Sequence, residues 1–337
     1  PMLVPPRVRC GTASSGHNGM ISVVIATFNG ARTLPLTLAA LAEVAPPDEG
    51  REIIVVDNAS TDATPDILDA HREALGLKIV REPQPGRSRA LNTGCAAAAG
   101  DLVVMTDDDV LPDPGWLRAF AEAAHAHPSV SVFAGQIRIH WQKPPPRWLA
   151  RLADEGRSYG ATALGRAAGP IPPGSVKGAN VAVRRSLLRA ARLREDVGYG
   201  ANGDMIAGDE TAFLKAAAAD GHAIHFVPEA RLHHIVRPHE VAVRPVLRRY
   251  FRIGRGCTAI GVRAFRADLP TLFGYPRFIV RQVASETAGA LTHLLALNRY
   301  RCMSALIDVA MTCGEAYQWK RMRQRDGEKS GNVELVG

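Results

Sequence analysis

The chain reads as an α/β protein built on an open, mainly parallel sheet with helices on both faces. Three observations predict this. Short apolar runs rich in Val and Ile alternate with longer segments of helical periodicity. The connections between them carry Gly, Pro, Asn and Asp. The strongest strands each end in a polar cluster, at Thr27-Phe28-Asn29, at Asp57 and at Asp107-Asp108-Asp109, and ligands of such sheets bind at the carboxyl ends of the strands.

Taken in order, 21–27 is a β-branched strand that ends at Phe28-Asn29-Gly30. Residues 31–44 follow with Leu34, Leu38 and Leu41 on one helical face, and Pro46-Pro47 closes that helix. Residues 52–57 are a second apolar strand. Its exit, 58–62, is made of turn and cap residues; Asp62 or Thr64 caps the next helix, with Pro65 in its first turn. A short strand at 77–80, an Ala-rich helix at 88–99 ended by Gly100, and a strand at 101–107 complete the first half. Past Pro112 the order changes. A helix is expected at 116–127 and an extended strand at 130–140, then a break at Lys143-Pro144-Pro145-Pro146 and loop or short helix over 150–176. Residues 178–183 are strand-like. Asp209-Glu210 opens a helix to Asp220, and 223–228 is the last strand, leading to His233-His234.

The triplet Asp107-Asp108-Asp109 lies directly behind the apolar run 102–105. Three adjacent ionised carboxylates repel one another, and burying any of them unpaired is costly. A hard divalent cation solves this, since Mg²⁺ and Mn²⁺ prefer oxygen ligands and bridge carboxylates to phosphates. The first and third Asp form an Asp-x-Asp pair, which points to a metal site for a nucleotide diphosphate; the alternative is a solvated acidic turn.

At 337 residues the chain holds two domains, or one large α/β domain with an appendage. Its five Cys are scattered without metal-ligand spacing, as reduced thiols of a cytoplasmic protein are. No stretch is long and apolar enough for a membrane span, and 1–19 lacks the apolar core of a secretory signal, so it is expected to be a flexible extension. Charge is unevenly placed. From Val236 onward there are 17 Lys and Arg against 8 Asp and Glu, whereas the preceding residues carry 24 against 25. Within 241–259, helical spacing groups Leu247, Tyr250 and Phe251 on one face and Arg248, Arg252 and Arg255 on another. Such a basic amphipathic helix suits an anionic membrane leaflet; equally, it suits helices packed on the catalytic domain with a solvated Arg face. No nucleic-acid-binding module accompanies the arginines, so nucleic acid is not expected as a partner.

Six segments together resemble the serial motifs of glycosyltransferase family 2: 21–37 (ISVVIATFNGARTLPLT), 53–64 (IIVVDNASTDAT), 86–94 (GRSRALNTG), 103–112 (VVMTDDDVLP), 178–184 (GANVAVR) and 208–214 (GDETAFL). The resemblance covers about 21–236. It implies the GT-A (Rossmann-like) fold, with a nucleotide-sugar half at 20–112 and an acceptor half at 113–236. A basic helical region at 237–319 and a polar, frayed tail at 320–337 would follow. It also implies transfer of a sugar, with inversion, from a nucleotide diphosphate sugar to a glycan or lipid-linked acceptor in polysaccharide or glycolipid biosynthesis. UDP is the favoured donor nucleotide, with GDP and dTDP open. By the same resemblance Thr27, Asn29 and Asp57 hold base and ribose, and Arg87 lies against ribose or diphosphate. Asp107 faces the ribose and contributes to the metal site, Asp108 orients, and Asp109 binds Mn²⁺ or Mg²⁺. Asn180 would bind acceptor hydroxyls.

Inversion needs a base for the acceptor hydroxyl, and Asp209 and Glu210 are the candidates. Family members usually read Glu-Asp where this chain reads Asp-Glu, so either residue fits the role. Some relatives supply a third metal ligand from the His233-His234 region. Adjacent strand residues face opposite ways, so at most one of the two, His234 in this reading, would reach the ion. The expected location is cytoplasmic, with peripheral contact on the inner face of the plasma membrane. Two other readings compete: a metal-dependent nucleotidyltransferase or phosphohydrolase, and a non-catalytic nucleotide-sugar-binding scaffold. The first lacks a G-x-x-x-x-G-K-[ST] or G-x-G-x-x-G phosphate loop; the second has no reason to keep both carboxylate groups.

Overall fold

The computed structural model describes residues 19–198, 206–262 and 269–331; the expectation for 1–19 lies almost wholly outside them. Its first half is a repeating strand–helix unit: β1 (Ile21–Thr27), α1 (Leu34–Ala42), β2 (Arg51–Asp57), α2 (Thr64–Leu75), β3 (Leu77–Arg81), α3 (Arg87–Ala97) and β4 (Leu102–Asp107). The four strands are parallel, in the order β3-β2-β1-β4. β1, β2 and β4 carry apolar, buried runs because both faces are covered, whereas β3, at the edge, exposes Lys78 and Arg81. Ile21, Val23 and Ile25 of β1 pack with Leu34, Leu38 and Leu41 of α1. Val24 faces the opposite way, with Ala90 and Leu91 of α3. Asp62 does its capping from just outside α2, where its Oδ1 accepts the Thr64 N–H at 3.0 Å.

Beyond β4 the chain runs through β5 (Val110–Pro112), α4 (Trp116–Ala126), β6 (Val132–Trp141), α5 (Arg147–Asp154), β7 (Gly169–Pro170), β8 (Asn180–Arg184), α6 (Arg185–Ala190), α7 (Asp209–Ala219) and β9 (Ile224–Val236). Among the described residues these complete one nine-stranded sheet, ordered β3-β2-β1-β4-β8-β6-β9-β5, with β7 on β9. β8 is antiparallel to both β4 and β6, while β6 and β9 are parallel. The sheet is therefore mixed and mostly parallel, as expected. Two details position the site. First, β4 and β5 are two residues apart in sequence but lie on opposite sides of β8, β6 and β9, so Asp108-Asp109 is the crossover between them. Second, β9 does not stop at Pro228. The register against β6 jumps from Val227 to Arg231, leaving residues 228–230 as an irregularity around a proline that has no N–H to offer, and pairing then resumes through His233 and His234 to Val236.

The C-terminal third is helical: α8 (Val243–Ala259), a small hairpin of β10 (Thr271–Leu272) and β11 (Tyr275–Pro276), α9 (Arg277–Leu295) and α10 (Arg299–Gly331). Here the sequence reading needs correction. Arg255 does not belong to an outer basic face of α8. It is 8% exposed, donates to Gln318 Oε1 at 3.3 Å and lies 5.0 Å from the Tyr317 ring centroid. The two helices approach so closely that a side chain at Gly254 would strike the Met311 carbonyl, and one at Gly314 the Phe251 carbonyl. The expected frayed tail is likewise continuous helix to Gly331, with Trp319 buried. Val246 and Tyr250 of α8, with Ile307 of α10, pack against Leu149 and Leu152 of α5 and Val236 of β9.

Candidate active site

The crossover between β4 and β5 is fastened from two sides. The Thr37 hydroxyl, reaching up from α1, donates to the Asp108 carbonyl at 3.0 Å and accepts the Val110 N–H at 3.1 Å. From β9, the Ile235 N–H donates to the Asp109 carbonyl at 2.8 Å. Thr37 was not singled out in the sequence, where it reads only as a helix residue. Thr27 is buried and its hydroxyl donates to Asp108 Oδ2, so it braces the triplet from beneath. Burial, reinforced by the charge of Asp109, pushes the Asp108 carboxyl up to about 7 despite that hydrogen bond.

Asp109 faces His234. Their Oδ1 and Nε2 are 3.3 Å apart, while Asp109 Oδ1 and His234 Nδ1 are buried without a hydrogen-bond partner. Burial opposes the charged form of each, but their mutual attraction wins: the Asp109 carboxyl is held below its ordinary value and the His234 imidazole above its own. His233 points to the other side of β9, 3.4 Å from Asp113. Among the described residues no three His, Cys, Asp or Glu side chains are grouped to hold an ion by themselves. An orphaned carboxylate oxygen beside an imidazole nevertheless fits a cation whose remaining ligands come from phosphate and water, the usual arrangement for Mg²⁺ and Mn²⁺ at nucleotides.

A second carboxylate group stands at the start of α7. It meets the first through one residue. Arg87 Nε and Nη2 donate to Asp107 Oδ1 at 3.1 and 2.7 Å, and Nη1 donates to Asp209 Oδ2 at 3.1 Å and lies 3.8 Å from Glu210 Oε2. Burial alone would weaken the guanidinium's hold on its proton; the three carboxylates more than reverse this. Asp209 is 1% exposed and also accepts from the Ser88 hydroxyl at 3.0 Å. Burial would favour its neutral form, but Arg87 keeps it ionised. Glu210 is the opposite case: burial, then the neighbouring Asp209 charge, raise its carboxyl to about 8. Its side chain is 26% exposed. Gly178 leaves room for it, since a Cβ there would lie 2.9 Å from Glu210 Cγ. The structure thus separates two residues that sequence left equivalent: Asp209 is an enclosed anion locked to Arg87, and Glu210 is a proton-holding acid with an open side.

The loops that follow β1 and β2 are tied to each other. Asn29, at φ 52°, accepts the Thr61 N–H on its Oδ1 at 2.8 Å, and its own N–H donates to the Ser60 hydroxyl at 3.0 Å. Asp57 is buried and accepts the Ser60 N–H at 3.1 Å. Asn58, a plain turn residue in the sequence, turns out to set the position of Arg87. Its Nδ2 donates to the Glu82 and Gln84 carbonyls and its Oδ1 accepts the Gly86 N–H at 2.8 Å.

Asn180 is a correction. It is 0% exposed, its Oδ1 accepts from Trp116 Nε1 at 2.8 Å, and its Nδ2 donates to the carbonyls of Gln136 and Ala230 at 2.9 and 2.8 Å. Strand alternation explains this. Val181 and Val183 face α7, so Asn180 and Ala182 face α4, away from Glu210. Asn180 is a buried cross-link with no group left for an acceptor hydroxyl. A cavity of about 400 Å³ beside α3 is lined by Glu82, Arg89, Asn92 and Glu195 among others, and by none of the triplet or the α7 carboxylates.

A family model described as Glycosyl transferase family 2 matches residues 22–191, half of the chain. The protein belongs to glycosyl transferase family 2. Relatives of this glycosyltransferase include validoxylamine A glucosyltransferase of Streptomyces hygroscopicus, 34% identical over 118 residues, covering 34% of this chain and 28% of that enzyme. Another is the succinoglycan biosynthesis protein ExoM of Rhizobium meliloti, 28% identical over 222 residues, covering 65% of this chain and 68% of ExoM. The chain thus spans under a third of the first relative's length. Among solved structures, the mannosyltransferase PcManGT from Pyrobaculum calidifontis, in complex with GDP-Man and Mn²⁺, superposes with a TM-score of 0.57 at 22% identity, covering 87% of this chain and 86% of that one. S. aureus TarS 1-349 in complex with UDP-GlcNAc gives 0.50 at 17% identity, covering 86% and 90%. These establish the GT-A fold for this family 2 member.

Proposed function

We propose that this family 2 glycosyltransferase moves a sugar, with inversion, from a nucleotide diphosphate sugar to a glycan or lipid-linked acceptor in polysaccharide or glycoconjugate assembly. The supporting observation is the Arg87 bridge: one guanidinium joins Asp107, at the end of β4, to Asp209 and Glu210, at the start of α7. Donor and acceptor carboxylates therefore share one cleft. Residues 20–112 supply the donor side of this reading and 113–236 the acceptor side.

Asp109 and His234 would hold the divalent ion, with Asp107 kept alongside by Arg87. Bound there, an ion neutralises the charge that builds on the departing diphosphate. An imidazole ligand favours Mn²⁺ over the harder Mg²⁺. Asn29 and Asp57 would position the nucleotide, with Thr27 and Asp108 fixing the crossover behind it. Glu210, once ionised, takes the acceptor hydroxyl's proton as that oxygen attacks the anomeric carbon; the bond to the diphosphate breaks and its electron pair leaves with the diphosphate. Asp209 stays ionised and positions Arg87.

No helix among the described residues is long and apolar enough to cross a membrane. For a lipid-linked acceptor, the surface contact we propose is the turn between α9 and α10. There Leu295 and Leu297 are 85% and 87% exposed, and Arg299 and Arg301 follow with no acidic residue between Glu286 and Asp308. That composition suits an anionic leaflet. Binding to anionic but not neutral vesicles, lost in Leu295→Ser/Leu297→Ser, is the expected result.

The functional test is calorimetry with UDP, GDP and dTDP, each with Mn²⁺ and with EDTA. Metal-dependent binding of one nucleotide, UDP by this reading, is expected. Absence of binding to all three would overturn the donor assignment.

A further inference from the structure

A second polar cavity, about 120 Å³, lies between α5 and the segment leading to β8 and has no role in the chemistry above. Arg166, Lys177, Ser175 and Glu155 contribute its polar lining, with Gly174 and Thr162. It adjoins the reaction centre through the chain itself, because Lys177 precedes Gly178, the residue against which the Glu210 side chain lies. The charges are unbalanced. Glu155 already receives Arg151 Nε at 3.1 Å on one oxygen and the Tyr300 hydroxyl on the other. The side chains of Lys177 and Arg166, both half-buried, have neither a hydrogen bond nor an ion pair among the described residues; Arg166 only lies 5.9 Å from the Phe226 ring centroid.

Burial draws the Lys177 ammonium below its ordinary value; Glu210 opposes this, and the nearby Arg166 and Arg249 charges add to it. Arg249, from α8, is held 5.0 Å from the Tyr159 ring centroid, and its charge also acts on Asp109. Two cations in one small cavity, whose single carboxylate is already engaged by Arg151 and Tyr300, are costly to keep together unless an anion comes to them.

We propose that Arg166 and Lys177 form an anion site on the acceptor side of the cleft, one that takes a phosphate or carboxylate group of the acceptor and sets a neighbouring hydroxyl against Glu210. This rests on the reading of Glu210 as the base. It makes the enzyme selective for acidic acceptors: neutral sugars would leave both cations unpaired, whereas an anionic substituent gains two charge-assisted contacts.

The test reads the site without turnover. Lys177 acylation by a water-soluble amine reagent is followed by mass spectrometry on the full chain, with inorganic phosphate, glucuronate or glucose added, in the presence of Mn²⁺ and UDP. Phosphate or glucuronate is expected to slow Lys177 acylation at least tenfold, while glucose leaves it unchanged. Arg166→Gln should abolish that protection and Arg166→Lys should restore part of it, with circular dichroism confirming that both variants fold. Protection by phosphate alone assigns the site to phosphate-bearing acceptors, and by glucuronate alone to uronic acids. Protection by neither, equal protection by glucose, or protection by UDP and Mn²⁺ alone overturns the proposal. Nucleotide binding by calorimetry is scored separately, so failure of the donor reading is distinguishable from failure of this one.

Discussion

Replacing Glu210 by Gln tests the base directly, and the structure sets the size and the sign of what should be seen. Burial and the Asp209 charge place the Glu210 carboxyl at about 8, above the ordinary 4.5. At pH 7 roughly one molecule in ten would then hold Glu210 ionised, and at pH 9 roughly nine in ten. If the ionised form takes the acceptor proton, kcat/KM for transfer rises about tenfold between pH 7 and 9, bending near 8. Glu210→Gln keeps the volume and removes the basic oxygen, so transfer falls by about two to four orders of magnitude and the bend disappears. Nucleotide affinity stays within about twofold. The folded-state pKa lies above the unfolded one, so folding binds a proton and wild-type stability declines as pH rises from about 4.5 to 8. The Gln variant lacks this decline, which urea titrations at pH 6 and 9 would show. The assay is initial-rate transfer across pH 6 to 10 with saturating donor. A flat wild-type profile, or a Gln variant of full activity, refutes the reasoning; loss of activity in Asp209→Asn alone would move the base to Asp209.

Asp109→Ala should abolish Mn²⁺-dependent nucleotide binding, and His234→Ala should weaken the apparent Mn²⁺ affinity by about 10- to 100-fold, both read by calorimetry; retained binding in Asp109→Ala discards the metal assignment. Arg87→Met leaves Asp107 and Asp209 unpaired in the cleft and should cost about 3–5 kcal/mol of stability by urea denaturation, more than any surface arginine. Asn180→Leu strands the Trp116 indole N–H and two carbonyls, so a loss of about 1–3 kcal/mol is expected with metal-dependent nucleotide binding retained; an acceptor KM effect without destabilisation would reinstate Asn180 as a binding residue.

The parallel half could be read from sequence because strands covered on both faces leave an uninterrupted apolar signature, as in β1, β2 and β4. β9 hid its second half behind Pro228, where the strand deviates and then resumes. For α8 the sequence shows an arginine-rich helix but not what covers it, and Arg255 proved to be roofed by α10. Asn180 sits inside a segment whose likeness to relatives suggested a ligand, yet one step of strand alternation turns it into the core. The triplet and the Asp-Glu pair were visible as chemistry. Their union was not, because Arg87 lies 20 residues from Asp107 and 122 from Asp209, and nothing local marks that pairing.

The Arg87 bridge bears on how this enzyme can be rebuilt. Engineers who splice the acceptor portion of one glycosyltransferase onto the donor portion of another treat the two as interchangeable cartridges. Under the proposed division at residue 112 the seam runs through a single side chain: Arg87 precedes it, while its partners Asp209 and Glu210 follow it. A chimera joined near residue 112 that imported a different α7 start would leave Arg87 facing the wrong partner. The graft would have to carry α3 with it, or choose a parent whose cleft places an acidic residue at the same spot.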